Sequence, residues 1–210
     1  GCVDPQLAAD APPLKPGDEG EATMAVLNVH QSLRPLPPGT QVKELRILQL
    51  RTRRKDNIRG FVFEKIGDNF NRFYQEKLPF DLAGAQKRVI KEIRGDLAAG
   101  KQMNRLVQGD VGSGKTVVAH MTMLMALDNT RASDGAPFQA CLMAPTEILA
   151  QQHYANLSEL VGDIGINVGF LSGSVKGKKR EAILQQLASG DMHIVIGTHA
   201  LIEDWVQFQN

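Results

Sequence analysis

The chain has 210 residues, 42% hydrophobic and 22% charged, which is enough for one ordinary α/β domain with an appendage and too apolar for wholesale disorder. Aromatic residues make up only 5%, which argues against an all-β sandwich rich in Tyr and Trp. Lys and Arg number 24 against 23 Asp and Glu, so the net charge is +1 and any nucleic-acid surface has to be a local patch.

Cys2 and Cys141 are far apart, and Cys141 lies in an apolar run; this argues against a disulfide scaffold or a metal cluster and fits a reducing compartment. No stretch reaches the roughly 18 apolar residues of a membrane span. The chain starts at Gly1-Cys2 and ends just after Trp205-Val206-Gln207-Phe208, so both ends read as cut ends. With no apolar segment ahead of Cys2, a lipoprotein signal stub is disfavoured.

In chain order, residues 1–40 hold Pro5, Pro12, Pro13, Pro16, Pro35, Pro37 and Pro38 and show no sustained period. They read as a Pro-rich linker or poorly ordered tail, with one short apolar turn at Met24–Leu27. Residues 41–77 read as a helical connector: Val42, Leu45, Ile47, Leu48 and Leu50 come at mixed helical spacing, then Arg51, Arg53, Arg54 and Lys55, then Phe61, Phe63, Phe70, Phe73 and Tyr74. The aromatics either pack on the next domain or accompany a basic strip along a phosphate backbone.

From Leu78 the pattern becomes regular. Val89, Ile90, Ile93 and Leu97 mark an amphipathic helix over 85–99, closed by Gly100. A strand is expected at 104–108, then a Gly-rich loop, then a helix over 115–128 that is apolar on nearly every face and therefore buried. Residues 130–137 read as a polar surface loop. A strand at 139–143 leads through Ala144-Pro145 to a helix capped by Thr146 and running to Leu160. A strand at 167–171, a basic helix over 174–188 and a strand at 193–196 follow. Apolar strands alternating with helices predict a parallel sheet covered on both faces.

The segment Gly109-Asp110-Val111-Gly112-Ser113-Gly114-Lys115-Thr116 matches G-x-x-x-x-G-K-[ST] in full, between an expected strand and an expected helix. A triphosphate carries several negative charges, and successive backbone N–H groups can surround its β-phosphate. The three glycines allow the backbone conformations this needs, and the helix start adds the positive end of a dipole. Lys115 is spaced to bridge the β- and γ-phosphates, and the Thr116 hydroxyl to bind Mg²⁺.

Four further positions carry a functional and a plain reading each. Gln86, after Leu78-Pro79-Phe80-Asp81-Leu82-Ala83-Gly84-Ala85, either pairs with an adenine through its amide or is a surface residue of its helix. Thr146, after Ala144-Pro145, either holds a phosphate at a strand's carboxyl end or only caps its helix. Ile196-Gly197-Thr198-His199 poses the same choice at the next strand end. Leu171-Ser172-Gly173-Ser174 runs into Lys176, Lys178, Lys179 and Arg180, either a solvated face or part of a strand-tracking groove.

These segments together resemble the superfamily 2 DNA helicases, and most closely their bacterial members that act on branched DNA. The resemblance covers about Val42 to Asn210 and is strongest from Leu78. It is carried by Gln102-Met103-Asn104-Arg105-Leu106 leading into the P-loop, Met143-Ala144-Pro145-Thr146-Glu147-Ile148-Leu149-Ala150, Gly173-Ser174-Val175-Lys176-Gly177-Lys178-Lys179-Arg180 and Ile196-Gly197-Thr198-His199-Ala200-Leu201-Ile202-Glu203-Asp204. It implies a P-loop NTPase of RecA-like α/β fold over 78–210, the first motor domain, ending ahead of the Walker B motif. It also implies ATP and Mg²⁺ as cofactors and branched or duplex DNA as partner, with a second RecA-like domain and a wedge domain in the same polypeptide, in the bacterial cytoplasm at the nucleoid.

By the same resemblance Gln86 belongs to the adenine-reading motif, and Gly109 to Thr116 to motif I, with Lys115 and Thr116 catalytic. Pro145 and Thr146 belong to motif Ia, Ser172 and Gly173 to the strand-contacting motif after it, and Thr198 and His199 to motif Ib. Ala83 stands where such helicases usually carry Thr. A transcription-repair coupling translocase, another P-loop ATPase that moves protein or regulates transcription, and an inactive binding module are the alternative readings.

Overall fold

The structure, a computed structural model, describes residues 60–131 and 134–209 and the backbone of two earlier strands. The described residues fall into two compact units, one joining Phe80–Thr122 to the described residues up to Glu64, the other joining Lys65–Pro79 to Met123 and the residues after it. The sequence reading takes residues 78–210 as the helicase domain.

The first unit is built on a sheet of order β1-β3-β2: β1 (Val26–Gln31), β2 (Leu45–Gln49) and β3 (Asn104–Gly109). β1 runs parallel to β3 with Val26 opposite Asn104, and β2 runs antiparallel with Leu45 opposite Gly109. Both outer strands correct the sequence reading, which has a tail and a helical connector in those places. The residues 45–49 alternate Leu, Arg and Ile over too few positions to separate period 2 from period 3.6, and ladder hydrogen bonds to β3 settle the choice. β-branched Val26 and Val29 favour extended backbone in the same way. The basic run Arg51–Lys55 lies outside the described residues.

β3 is preceded by a helix, α2 (Gly84–Leu97), which buries Gln86, Val89, Ile90, Ile93 and Leu97. Gly100, at φ 65°, turns the chain out of it. Arg105 on β3 grips Asp96 of α2 with both arms of its guanidinium, one of them at 2.6 Å. That pairing raises the guanidinium's pKa further above its ordinary value. After β3 comes α3 (Lys115–Leu127), whose Val118, Met121, Leu124 and Met125 are at most 2% exposed, as its all-round apolar sequence requires. Each such side chain contributes about 1.5–3 kcal/mol on burial.

The second unit begins with α1 (Asp68–Arg72), a short helix running into a wider π-type turn at Phe73–Lys77 that buries Phe73 completely. Its sheet has the order β4-β6-β5, all parallel: β4 (Ala140–Met143), β5 (Val168–Leu171) and β6 (Ile194–Gly197). β6 is central and buried at every position, whereas β4 alternates half-buried and exposed. α4 (Glu147–Val161) packs on β5 and β6, and α5 (Gly177–Ser189) on β5. Leu171, Ile183, Leu187, Val195 and Leu201 form the core here, with Trp205, Val206 and Phe208 lying on it.

The polar loop over 130–137 is closed by a bridge between Thr130 and Pro137 and by an Arg131 N–H bond to the Ala136 carbonyl at 2.8 Å. α5 starts three residues later than the sequence suggests. Ser172 to Val175 form a turn, with the Val175 N–H donating to the Ser172 carbonyl at 3.1 Å, and the helix begins at Gly177 with φ 58°.

Candidate functional site

Two groups of residues carry chemistry, one in each unit. The first is the loop between β3 and α3. Gly112 and Gly114 take φ of 80° and 79°, a region costly for any residue with a Cβ. A Cβ on Gly114 would also collide with the Gln86 amide nitrogen. The Ser113 N–H donates to the Asp110 carbonyl at 3.1 Å and the Val118 N–H to the Gly114 carbonyl at 3.2 Å, closing the loop onto the helix. The N–H groups ahead of Val118 have no helical acceptor, as at any helix start.

Lys115 is 7% exposed, and its ammonium sits inside this loop rather than in solvent. It donates to the carbonyls of Gly109 (2.7 Å) and Asp110 (2.5 Å) and to the Ser113 hydroxyl (3.2 Å). Burial pushes its pKa below the ordinary lysine value, and the nearby Asp110 charge opposes that only in part. None of the three hydrogen-bonded oxygens is charged. The loop therefore holds a cation that phosphate oxygens would satisfy better, on a backbone shaped to admit them. Thr116 follows in the first turn of α3, half-buried. Among the described residues no group of three or more His, Cys, Asp or Glu could hold a metal ion.

Gln86 is 8% exposed, and both ends of its amide are engaged. Its Oε1 accepts from the Ala83 N–H at 2.8 Å, half of a capping box at the start of α2, and its Nε2 donates to the Ser113 carbonyl at 3.0 Å. Ala83 as N-cap has no side-chain acceptor to complete the box. Gln86 is thus brought onto the phosphate loop, which neither of its sequence readings anticipates.

The second group lies at the carboxyl ends of β4, β5 and β6. The register places Met143, Leu171 and Gly197 level with one another, so the chain leaves all three strands at one edge. The exits are laterally bonded: the Ala144 N–H donates to the Gly197 carbonyl at 2.8 Å and the Thr198 N–H to the Leu171 carbonyl at 3.3 Å. A Cβ on Gly197 would strike the Leu171 carbonyl oxygen, so only glycine fits where the strands converge. Thr146 is exposed and its hydroxyl accepts from the Leu149 N–H at 3.4 Å, capping α4. Pro145, Gly173 and His199 are exposed beside it on the three exits, and Ser172 and Thr198 are buried.

The structure adds residues that sequence reasoning missed. Glu147, in the first turn of α4, accepts from the Ser174 hydroxyl at 2.5 Å, and Ser174 bonds the Ser172 hydroxyl at 2.9 Å. This chain ties the exit of β5 to the helix after β4. Its partners are 27 residues apart, and no local spacing announces it. Asp128, at the end of α3, accepts from the N–H groups of Gly67 (2.8 Å), Asn69 (3.0 Å) and Phe70 (3.1 Å) and so caps α1. Asn129 beside it bonds both the N–H (3.1 Å) and the carbonyl (3.0 Å) of Lys65. The Asp-Asn pair after an apolar helix is a recognisable stop signal, but its partner segment is not readable from it.

A P-loop between strand and helix in one unit, and polar strand exits of a parallel sheet in the other, are features of the helicase class. The model of the DEAD/DEAH box helicase family matches residues 84–210, and the chain belongs to that family. Its relatives are more specific. It is 46% identical over 145 residues to the ATP-dependent DNA helicase RecG of Aquifex aeolicus (strain VF5), covering 69% of this chain and 17% of that protein. It is 53% identical over 135 residues to RecG of Staphylococcus aureus (strain NCTC 8325 / PS 47), covering 64% and 18%. A solved structure of RecG bound to a three-way DNA junction superposes with a TM-score of 0.59 at 46% identity, over 70% of this chain and 19% of that one. The chain thus spans less than a fifth of the length of these relatives.

Proposed function

We propose that the chain is the first RecA-like motor domain of a RecG-type, ATP-dependent helicase that remodels branched DNA such as forks and four-way junctions, acting in the bacterial cytoplasm at the nucleoid. The observation that carries this is the phosphate loop with its buried, internally held lysine, in a chain 53% identical over 135 residues to a RecG protein.

In this reading the loop's N–H groups and Lys115 take the β- and γ-phosphates of ATP. The Thr116 hydroxyl would hold Mg²⁺, which would neutralise charge on those phosphates. Gln86 reads the adenine once its amide leaves the Ser113 carbonyl. Pro145, Thr146, Ser172, Gly173, Thr198 and His199 contact the DNA backbone, which rewards hydroxyls at strand ends. A second RecA-like domain supplies transition-state arginines, and a wedge domain splits the branch. Opening and closing between the two motor domains converts hydrolysis into stepping along duplex DNA.

Two measurements test this. A fluorescent ATP analogue with Mg²⁺ should bind the chain and be displaced by ATP; no binding at millimolar nucleotide refutes the motor reading. Gel shifts with forked and linear DNA at several salt concentrations should show binding that weakens steeply with salt. Steady-state ATP turnover by the 210-residue chain alone would contradict the division of labour between two motor domains.

A further inference from the structure

The strand exits of the second unit carry more than hydroxyls. Ile148 in the first turn of α4 is 70% exposed, and Ile202, in the turn after β6, is 73% exposed; Met143 at the end of β4 is 55% exposed. An isolated exposed aliphatic needs no explanation, but these three are not scattered. Met143 and Gly197 are register partners, Ile148 and Ile202 each follow five residues later, and the turn holding Ile202 packs against β4. The same edge carries Thr146, Ser172 and Thr198. The chain leaving β5 continues into Lys176, Lys178 and Lys179, all exposed, and Arg180, whose guanidinium stacks on Trp205 at 3.6 Å. The first turn of α5 holds no acidic residue, although a helix start favours acids over cations. Glu147, the carboxylate at the start of α4, is turned onto Ser174.

A surface that mixes exposed aliphatics, hydroxyls and cations along one edge matches a polymer that alternates anionic and apolar groups. A nucleic-acid backbone does so, phosphate by deoxyribose. We infer that Ile148 and Ile202 are DNA-contacting residues that lie against sugar faces of the bound backbone, while Lys178 and Lys179 engage its phosphates. This rests on the DNA-binding reading above and assigns that surface its apolar contacts.

The test is fluorescence anisotropy of a labelled duplex against the 210-residue chain, titrated at several salt concentrations. The Ile148→Ser/Ile202→Ser double variant should weaken binding about tenfold at every salt concentration, with an unchanged salt slope, because burial of aliphatic surface releases no counterions. Ile148→Leu/Ile202→Leu should restore affinity, which separates lost contact from lost fold. Lys178→Ala/Lys179→Ala should reduce the slope by about two. Unchanged affinity of the Ser variant, a loss that comes with a reduced slope, or an effect only on self-association of the chain would overturn the inference. A wild-type chain that binds no duplex would instead refute the DNA-binding reading on which it rests.

Discussion

At the phosphate loop, the buried side chains of Lys115 and Gln86 already have partners. Lys115 sits on three oxygens, and the Gln86 amide is spent on Ala83 and Ser113. At the strand exits of the second unit, Thr146 is exposed, and Lys176, Lys178 and Lys179 stand in solvent. The loop therefore admits only a ligand that can outbid its internal hydrogen bonds, as a compact multivalent anion can. The exposed lysines of the strand exits demand no such exchange and suit an extended ligand held by many weak contacts. The two regions should fail differently when perturbed.

The largest effect is expected from Lys115→Ala. It removes the loop's buried cation, and charge-assisted bonds to two phosphates should cost about 3 kcal/mol or more, a loss of nucleotide affinity of at least about 100-fold by equilibrium titration. Duplex binding at the strand exits should be nearly unchanged. Parallel loss of both would mean that the contrast between the regions is false and that Lys115 supports the fold.

Asp128→Ala strikes the second unit instead. It strips three N–H donors at the start of α1 of their acceptor, costing roughly 2–4 kcal/mol and lowering the melting temperature by about 5–15 °C. A Cβ on Gly67 would lie 2.8 Å from the Asp128 carboxylate, so the glycine and the carboxylate are closely packed in the wild-type chain. Nucleotide affinity measured well below the melting point should stay near wild type.

Gln86→Ala sharpens the contrast within the loop. As an adenine reader, Gln86 should, when lost, cost about tenfold for ATP and far less for GTP, flattening the preference between them. An equal loss for both nucleotides would leave Gln86 a tie between Ala83 and Ser113, with no part in base recognition.

What was legible in the sequence follows from locality. The loop announces itself because its lysine, threonine and glycines act within eight consecutive residues, and their spacing is the chemistry. The helices and parallel strands from Gly84 onward were readable because long amphipathic or apolar runs have one structural solution. Thr146 was readable as a cap for the same local reason. β1 and β2 were not, since their pairing with β3 bridges more than 50 residues and overrides a weak pattern. The Glu147–Ser174–Ser172 chain and the Asp128 cap share that non-locality: each residue is ordinary alone, and only the fold brings it to its partner.

The smallest effect concerns acid. His193, just ahead of β6, accepts the Asn167 N–H on its Nδ1 at 2.9 Å, and the Asn167 carbonyl in turn takes the N–H groups of His193 (3.0 Å) and Ile194 (3.1 Å). Burial lowers the pKa of this imidazole from its ordinary 6.5, against a smaller opposing pull from Asp191. A lowered pKa means that the unfolded chain binds the proton more readily than the folded one. The contribution to stability is thus full above the ordinary value and is lost as pH falls through the lowered one. Protonation at Nδ1 also abolishes the acceptor that aligns the start of β5 with β6. The melting temperature should therefore drop modestly between pH 7.5 and pH 5.5, and His193→Gln, which keeps an acceptor without a titrating ring, should show a smaller drop. Because this bond joins two strands of the second unit, the affinity of the phosphate loop should change far less than the melting temperature over that range. If affinity instead fell together with the melting temperature, the independence on which the other predictions rest would be lost.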